Sequence, residues 1–426
     1  MNTNDDLKKS VVQTEEYENT NVPFDKRRSL FRVTAVWAGF PLIITSTISG
    51  GAIIHGLGFQ KGVLALLVGS LLLFVYVGAL SAIAGKTGRN FTLQATDTFG
   101  QKGFLVSSAL LSTLVLGWFA VQASQLATYL SGVYPASEVI ISIIAGLVFA
   151  GLTMFGIRAL EVIGMISAPL FIIYGITAIG FSFTKGNEIF GYAGAGGDSF
   201  MSFGVAVTLV FALFADSGTM TADFTRWAKS SKEAIIATSS AFPIGHFFTM
   251  LLGGIVAAGA GATGMGSNIF SVVAEKGGVF TLIASVIISI NLCSVCSHCL
   301  YNSAVGWSSI LHKKMRPTTL VLGIIGTIIA ALGVWHYFFN WLNILGVIVP
   351  PIGAIIIVDQ LFIRNTSNNI VSKGARWQPF LAWAIASGCA LWSNMYRPEL
   401  STVVVGLIVA TIVYLIIEKM TVKSSH

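Results

Sequence analysis

Residues 201–227 read MSFGVAVTLVFALFADSGTMTADFTRW, a stretch long and apolar enough to cross a bilayer, with Asp216-Ser217-Gly218-Thr219 at its middle. A carboxylate at mid-membrane depth is costly, so such residues face a cavity, a partner or a translocated solute. Ser217-Gly218 weakens the helix at the same place, and irregular backbone at that depth is tolerated only where protein or a water-filled cavity surrounds it. Secondary transporters build midplane binding sites from broken helices with polar centres. The competing reading is a packed helix whose Asp216 pairs with a neighbour.

The rest of the chain is of one kind with this stretch. Hydrophobic residues make up 54% of the 426 and charged residues only 10%, too little polar surface for a soluble globule of this size. Apolar stretches of the length a bilayer requires, about 20 residues, fall near 31–55, 61–85, 104–132, 136–157, 162–184, 202–226, 234–260, 278–305, 318–336, 338–363, 378–395 and 400–418. The expected fold is therefore an all-α integral membrane protein of twelve transmembrane helices. Residues 1–30 are polar and lack a cleavable apolar core; they read as a disordered cytoplasmic tail. Residues 31–420 read as a single membrane domain and 421–426 as a second short tail.

If the spans alternate from a cytoplasmic N-terminus, 21 of the 25 basic residues fall inside, and only Lys61, Lys185, Lys276 and Arg397 fall outside. The positive-inside rule thus predicts twelve spans, both termini in the cytoplasm, and a multi-pass protein of the plasma membrane. The net charge of +7 reflects topology and gives no sign of nucleic-acid binding. Glycine-bearing loops at Gly191–Ser199 and Gly259–Asn268 fall outside by this count, as flexible links or parts of an outer gate.

Other spans carry polar stripes. Asn291, Ser294, His298 and Asn302 share a helical face, and Trp118, Gln122 and Gln125 share another. The first span holds Gly39-Phe40-Pro41, where proline frees a carbonyl from its helix bond. Interruptions in the first and sixth spans, five spans apart, are the signature of a five-helix inverted repeat followed by two additional helices. Cys293, Cys296 and Cys299 have metal-like spacing but spiral over the helix surface, so no metal site is expected. Asp223 and Arg226, one turn apart, read as a local ion pair or gate contact. His55, His246 and Asp359 have no face that the sequence assigns. No nucleotide-binding loop or hydrolase motif is present, so neither an enzyme nor an ATP-driven pump is expected.

GTMTADFTRW at 218–227, GKTG at 85–88, GWF at 117–119 and PPIGAIIIVD at 350–359 resemble cytosine permeases of the nucleobase–cation symporter-1 family, in order and with matching spacing from about Val33 to Tyr414. The resemblance implies the bacterial leucine transporter-like fold and alternating-access uptake of a planar heterocycle. It implies a sandwich of the ring between Trp118 and Phe214, with Gln122 matching a glutamine one turn after the third-helix tryptophan. Asp216, Ser217, Gly218 and His298 complete the expected substrate side. Val115 and Asp216 stand where the family carries a glutamine and a small hydroxyl residue. A carboxylate there accepts two parallel hydrogen bonds from adjacent donors, which favours amino-substituted rings over uracil. The family's sodium site maps onto carbonyls of Gly39, Ile43 and Asn291 and the hydroxyl of Ser294, with Val295 at the second hydroxyl position. Sodium is the expected coupling ion, with a proton on Asp216 or His298 as the alternative. The expected partners are a small heterocycle and the bilayer, with the chain monomeric. An amine or amino-acid carrier on the same fold, or a ligand sensor without net flux, remain open readings.

Overall fold

The computed structural model describes residues 16–183, 188–194, 201–260, 268–364 and 372–424. Among them every regular element is a helix. The first predicted span is two helices, α1 (Leu30–Ala38) and α2 (Ile44–Leu57), separated by the Gly39–Ile43 break. The chain then runs through α3 (Phe59–Thr87), the short α4 (Phe91–Phe99), α5 (Phe104–Ser131), α6 (Glu138–Thr153) and α7 (Ile157–Phe183). The sixth predicted span is three pieces, α8 (Phe203–Ala212), α9 (Ala215–Thr219) and α10 (Ala222–Thr225). There follow α11 (Ser231–Ser239), α12 (His246–Ala260), α13 (Ile269–Ala274), α14 (Val279–Leu311), α15 (Met315–Ala331), α16 (Phe338–Ile348), α17 (Pro350–Val358), α18 (Trp377–Tyr396) and α19 (Thr402–Ser424). Each of the twelve predicted apolar stretches is thus occupied by helix. Seven helices among the described residues are long and apolar enough to cross a membrane, and α6, α8 and α15 are shorter apolar helices. The first and sixth stretches do not reach that length because the breaks divide them.

The break in the sixth stretch is displaced from its predicted place. Phe214, with φ −132° and ψ 23°, leaves helical geometry, whereas Ser217-Gly218 lies inside α9. Gly218 serves packing: a Cβ there would stand 2.8 Å from Val77 Cγ2 of α3. Glycine has a stronger reason in the α2–α12 contact. A Cβ on Gly50 would lie 1.9 Å from the Met250 carbonyl oxygen, and one on Gly253 would lie 1.8 Å from that of Thr47. The two backbones meet through these missing side chains, as small-residue membrane packing allows.

Residues 16–30 depart from the disordered tail expected of 1–30; residues 1–15 lie outside the described residues. From Glu16 to Arg28 the chain forms a strap across one end of the bundle. The Glu16 carboxylate accepts from the Ile157 N–H at 3.2 Å and the Tyr301 hydroxyl at 2.8 Å. Burial pushes this carboxyl above the ordinary carboxylate range, against the opposing pull of Tyr301 and Arg226. Glu18, fully buried, accepts from the Met315 N–H, and its carbonyl accepts from the Asn90 amide at 2.7 Å. Arg28 pairs with Glu161 at 2.5 Å. The predicted Asp223–Arg226 contact is local but is made through backbone: Arg226 Nε donates to the Asp223 carbonyl at 3.3 Å, its other guanidinium nitrogens donate to the carbonyls of Glu16 and Tyr17 at 2.8 Å each, and the Asp223 carboxylate accepts from the Phe91 N–H. A polar tail is ordered here because helix ends leave unmet N–H and C=O groups that it can satisfy.

The two extra loops and Asp359 also find places. Tyr192 bonds His55 Nδ1 through its hydroxyl at 2.7 Å and accepts from the Phe59 N–H through its carbonyl, so the 188–194 segment lies on the α2–α3 corner. Residues 195–199 and 261–267 of the predicted glycine loops lie outside the described residues, as do Lys8, Lys9 and Lys185. Asp359 is structural: it accepts from Arg364, Arg376 and Tyr414, tying the end of α17 to α19.

Candidate functional site

Two helix breaks meet a pair of long helices at the centre of the bundle. Trp118 and Gln122 stand one turn apart on α5, buried to 3% and 2% exposure. Asp216, with no exposed surface, sits at the start of α9. Its Oδ1 accepts from the Trp118 indole N–H at 3.1 Å and the Ser217 N–H at 2.8 Å. The bidentate acceptor expected from the sequence is therefore half spent: one oxygen holds Trp118, and Oδ2 has no partner among the described residues. Gln122 Oε1 is unpartnered too, so the site offers two buried acceptors on two residues. A buried polar group left unmet costs about 1–3 kcal/mol, so such atoms mark places built to meet something else.

Phe214 packs against Phe40, Phe242 and His246, with ring centroids 5.3, 5.1 and 5.0 Å away. Among the described residues it makes no ring contact with Trp118. Trp118 in turn leans edge-on against Phe338 of α16. The Gly218 N–H is committed to the Phe214 carbonyl at 2.8 Å, so it has no donor left for a solute.

His298 takes a role different from the expected one. Its ring nitrogens lie 2.7 Å from the Ser294 carbonyl and 2.9 Å from the Val36 carbonyl, and its face stacks on Phe40. Both nitrogens face backbone carbonyls, and a neutral imidazole, with one N–H, donates to one of the two, so the ring is seated between α1 and α14. Asn291 staples the same region. Its Nδ2 donates to the Leu42 carbonyl at 2.6 Å and its Oδ1 accepts from the Ile44 N–H at 3.1 Å. The side chain thereby bridges the residues on either side of Ile43, a role that the carbonyl assignment missed. An amide opposite a proline break at membrane depth was the available signal. The Ser294 hydroxyl is fully buried and unpartnered, and Val295 beside it is fully buried. Sequence reasoning also left His246 unassigned. It rests edge-on to Phe214, with Nε2 on the Val210 carbonyl at 3.0 Å and Nδ1 unpartnered.

Known proteins resemble this chain over nearly its full length. The cytosine permease of Escherichia coli strain K12 is 29% identical over 385 residues, covering 90% of each chain. The solved structure of Mhp1, a nucleobase-cation-symport-1 family transporter in a closed conformation with bromovinylhydantoin bound, matches with a TM-score of 0.81 at 17% identity over 97% of both chains. A Na+-coupled sialic acid symporter in a substrate-bound outward-open state matches with a TM-score of 0.68 at 13% identity, over 95% of this chain and 91% of that one. At those identities the structural likeness shows a shared fold. Residues 22–375 match the family described as permease for cytosine/purines, uracil, thiamine, allantoin, and the chain is a member of that family of membrane transporters.

Proposed function

We propose that this protein imports a planar, amino-substituted nucleobase-like heterocycle by cation-coupled alternating access. The observation that carries the reading is the pair of unpartnered buried acceptors, Asp216 Oδ2 and Gln122 Oε1, beside an indole that Asp216 itself holds in place. Trp118 and Phe214 stack on the two faces of the ring, which selects for aromaticity without reading the edge. The edge is read by acceptors: an exocyclic amine donates to Asp216, and the adjacent ring nitrogen donates to Gln122 either as an N–H or, in cytosine and adenine, after it takes up a proton. A ring that presents carbonyls there leaves both acceptors unpaired and is rejected for that reason.

In this reading the twelve helical stretches all cross the plasma membrane, the first ten as a five-helix inverted repeat, and the strap end faces the cytoplasm. Sodium is the coupling ion, held by the Gly39, Ile43 and Asn291 carbonyls and Ser294. The unpartnered Ser294 hydroxyl supports this, since a hard cation favours oxygen ligands. Val295 supplies no ligand, so the site is weaker than one with two hydroxyls.

Competition of labelled cytosine uptake in proteoliposomes tests the proposal. Adenine and aminopyrimidines should compete well, uracil and hydantoin poorly, and Asp216→Asn should weaken the amino-substituted ligands far more than the oxygenated ones. A wild type that prefers uracil, or an Asn variant with unchanged cytosine affinity, would remove Asp216 from the reading.

A further inference from the structure

The break at Phe214 releases one backbone carbonyl. In a regular helix the Phe214 N–H would reach the carbonyl four residues back, at Val210. It turns instead to the Phe211 carbonyl at 3.2 Å, and the Leu213 N–H takes that of Leu209. Val210 is fully buried, so its released carbonyl must find a donor from another element. His246, the first residue of α12 and also fully buried, supplies it: Nε2 lies 3.0 Å from the Val210 oxygen.

That contact fixes the state of the ring. A carbonyl oxygen only accepts, so Nε2 carries the proton. Nδ1 has no partner among the described residues, and a second proton there would leave a buried cation with an unmet N–H. The ring is therefore the neutral tautomer with its proton on Nε2. It meets the Phe214 ring with centroids 5.0 Å apart and planes at 86°. The side chain that caps the released carbonyl thus also abuts the residue that released it. The first break repeats the arrangement. There the Phe40 N–H turns from Val36 to the Trp37 carbonyl at 3.0 Å, His298 Nε2 lies 2.9 Å from the Val36 oxygen, and the His298 ring stacks on Phe40 at 5.0 Å.

We propose that His246 is a positioning residue for the clamp: its N–H replaces the helix bond given up at Phe214, and its ring sets the Phe214 plate. It acts through Phe214 and not on the ligand. The role of Phe214 as a plate rests on the import reading, whereas the capping of Val210 does not.

The cap is tested without any substrate. In a solid-state nitrogen NMR spectrum of the histidine-labelled protein in lipid, the signals lost in His246→Gln should be those of a protonated Nε2 and a bare Nδ1. A proton on Nδ1 with none on Nε2 would overturn the cap. The positioning is tested by binding of labelled cytosine to the purified protein. His246→Leu should weaken binding roughly tenfold, the size of a lost stacking face. His246→Gln, whose amide N–H reaches the Nε2 position, should stay within about threefold of the wild type. His246→Asn, whose amide stops at the Nδ1 position, should behave as the Leu variant does and stands in for it if that protein does not fold. In a Phe214→Ala background the same Leu or Asn substitution should add less than about twofold, because residues that act as one unit are not additive. A full tenfold loss in that background, or unchanged affinity in the single variant, would overturn the positioning role. Absent cytosine binding by the wild type would sink the import reading, while the nitrogen spectrum alone still decides the cap.

Discussion

At the scale of single residues, the site is a division of labour within one carboxylate. Asp216 Oδ1 accepts from the Trp118 indole, and Oδ2, without a partner among the described residues, is the atom proposed to read the ligand. The two roles separate by mutation. Trp118→Ala and Phe214→Ala should each lose binding worth roughly 1–3 kcal/mol, measured as the rise in the inhibition constant for cytosine, with expression retained. Unchanged affinity in either variant would take that residue out of the clamp. Asn291→Leu belongs to a different class. It removes two hydrogen bonds across the first break and leaves the Leu42 carbonyl and Ile44 N–H unmet, a cost of about 1–3 kcal/mol for each buried group. A lowered midpoint of thermal unfolding in detergent is the expected outcome. A variant as stable as the wild type would mean that the break holds its shape without the amide.

At the scale of elements, the proposed site joins two helix breaks to the unbroken α5. Proline at 41 made the first break legible, and the structure opens the chain there, between Ala38 and Ile44. In the sixth stretch the helix gives way on both sides of Ser217-Gly218, at Phe214 and at Met220, and Gly218 itself is needed for close approach to α3. Composition cannot tell a glycine that loosens a helix from one that lets another helix touch it. The α2–α12 contact is of the second kind, and it gives a sharp expectation. Gly50→Leu or Gly253→Leu puts side-chain atoms where backbone oxygens lie within 2 Å of even a Cβ, so folded protein should be lost on size-exclusion in detergent. Recovery of monodisperse, ligand-binding protein would show that α2 and α12 can separate at no great cost.

At the scale of the whole molecule, the strap joins elements that an alternating-access mechanism must move apart. It ties the ends of α3 and α10 to the starts of α7 and α15 and to Tyr301 of α14. Opening of that end breaks these bonds. Deleting residues 1–18 should therefore favour the state open at the strap end, read as several-fold faster efflux of preloaded cytosine from proteoliposomes. Efflux at the wild-type rate would make the strap a passive cover. Coupling is likewise a property of the whole cycle. Uptake should rise with external sodium and saturate at a higher concentration than in a Val295→Thr variant, because the added hydroxyl completes the ligand set. Uptake indifferent to sodium and driven by an inward proton gradient would overturn sodium coupling.

The sequence by itself determined the class and the family. Hydropathy counts, charge asymmetry and the residues around Asp216 are local properties, and membrane burial makes them legible because few polar groups are tolerated there without cause. The tertiary structure alone decided what each polar group meets. His298 lies against two backbone carbonyls, Asn291 reached across the break with its side chain, Arg226 kept the Asp223 carbonyl and added two carbonyls of the strap, and a tail that reads as polar chain became a fastening. Each outcome depends on which helix end or break lies within about 3 Å of a donor, a relation between segments up to 297 residues apart. Helical periodicity fixes the face on which a side chain lies, and only the packing of the helices fixes what that face meets.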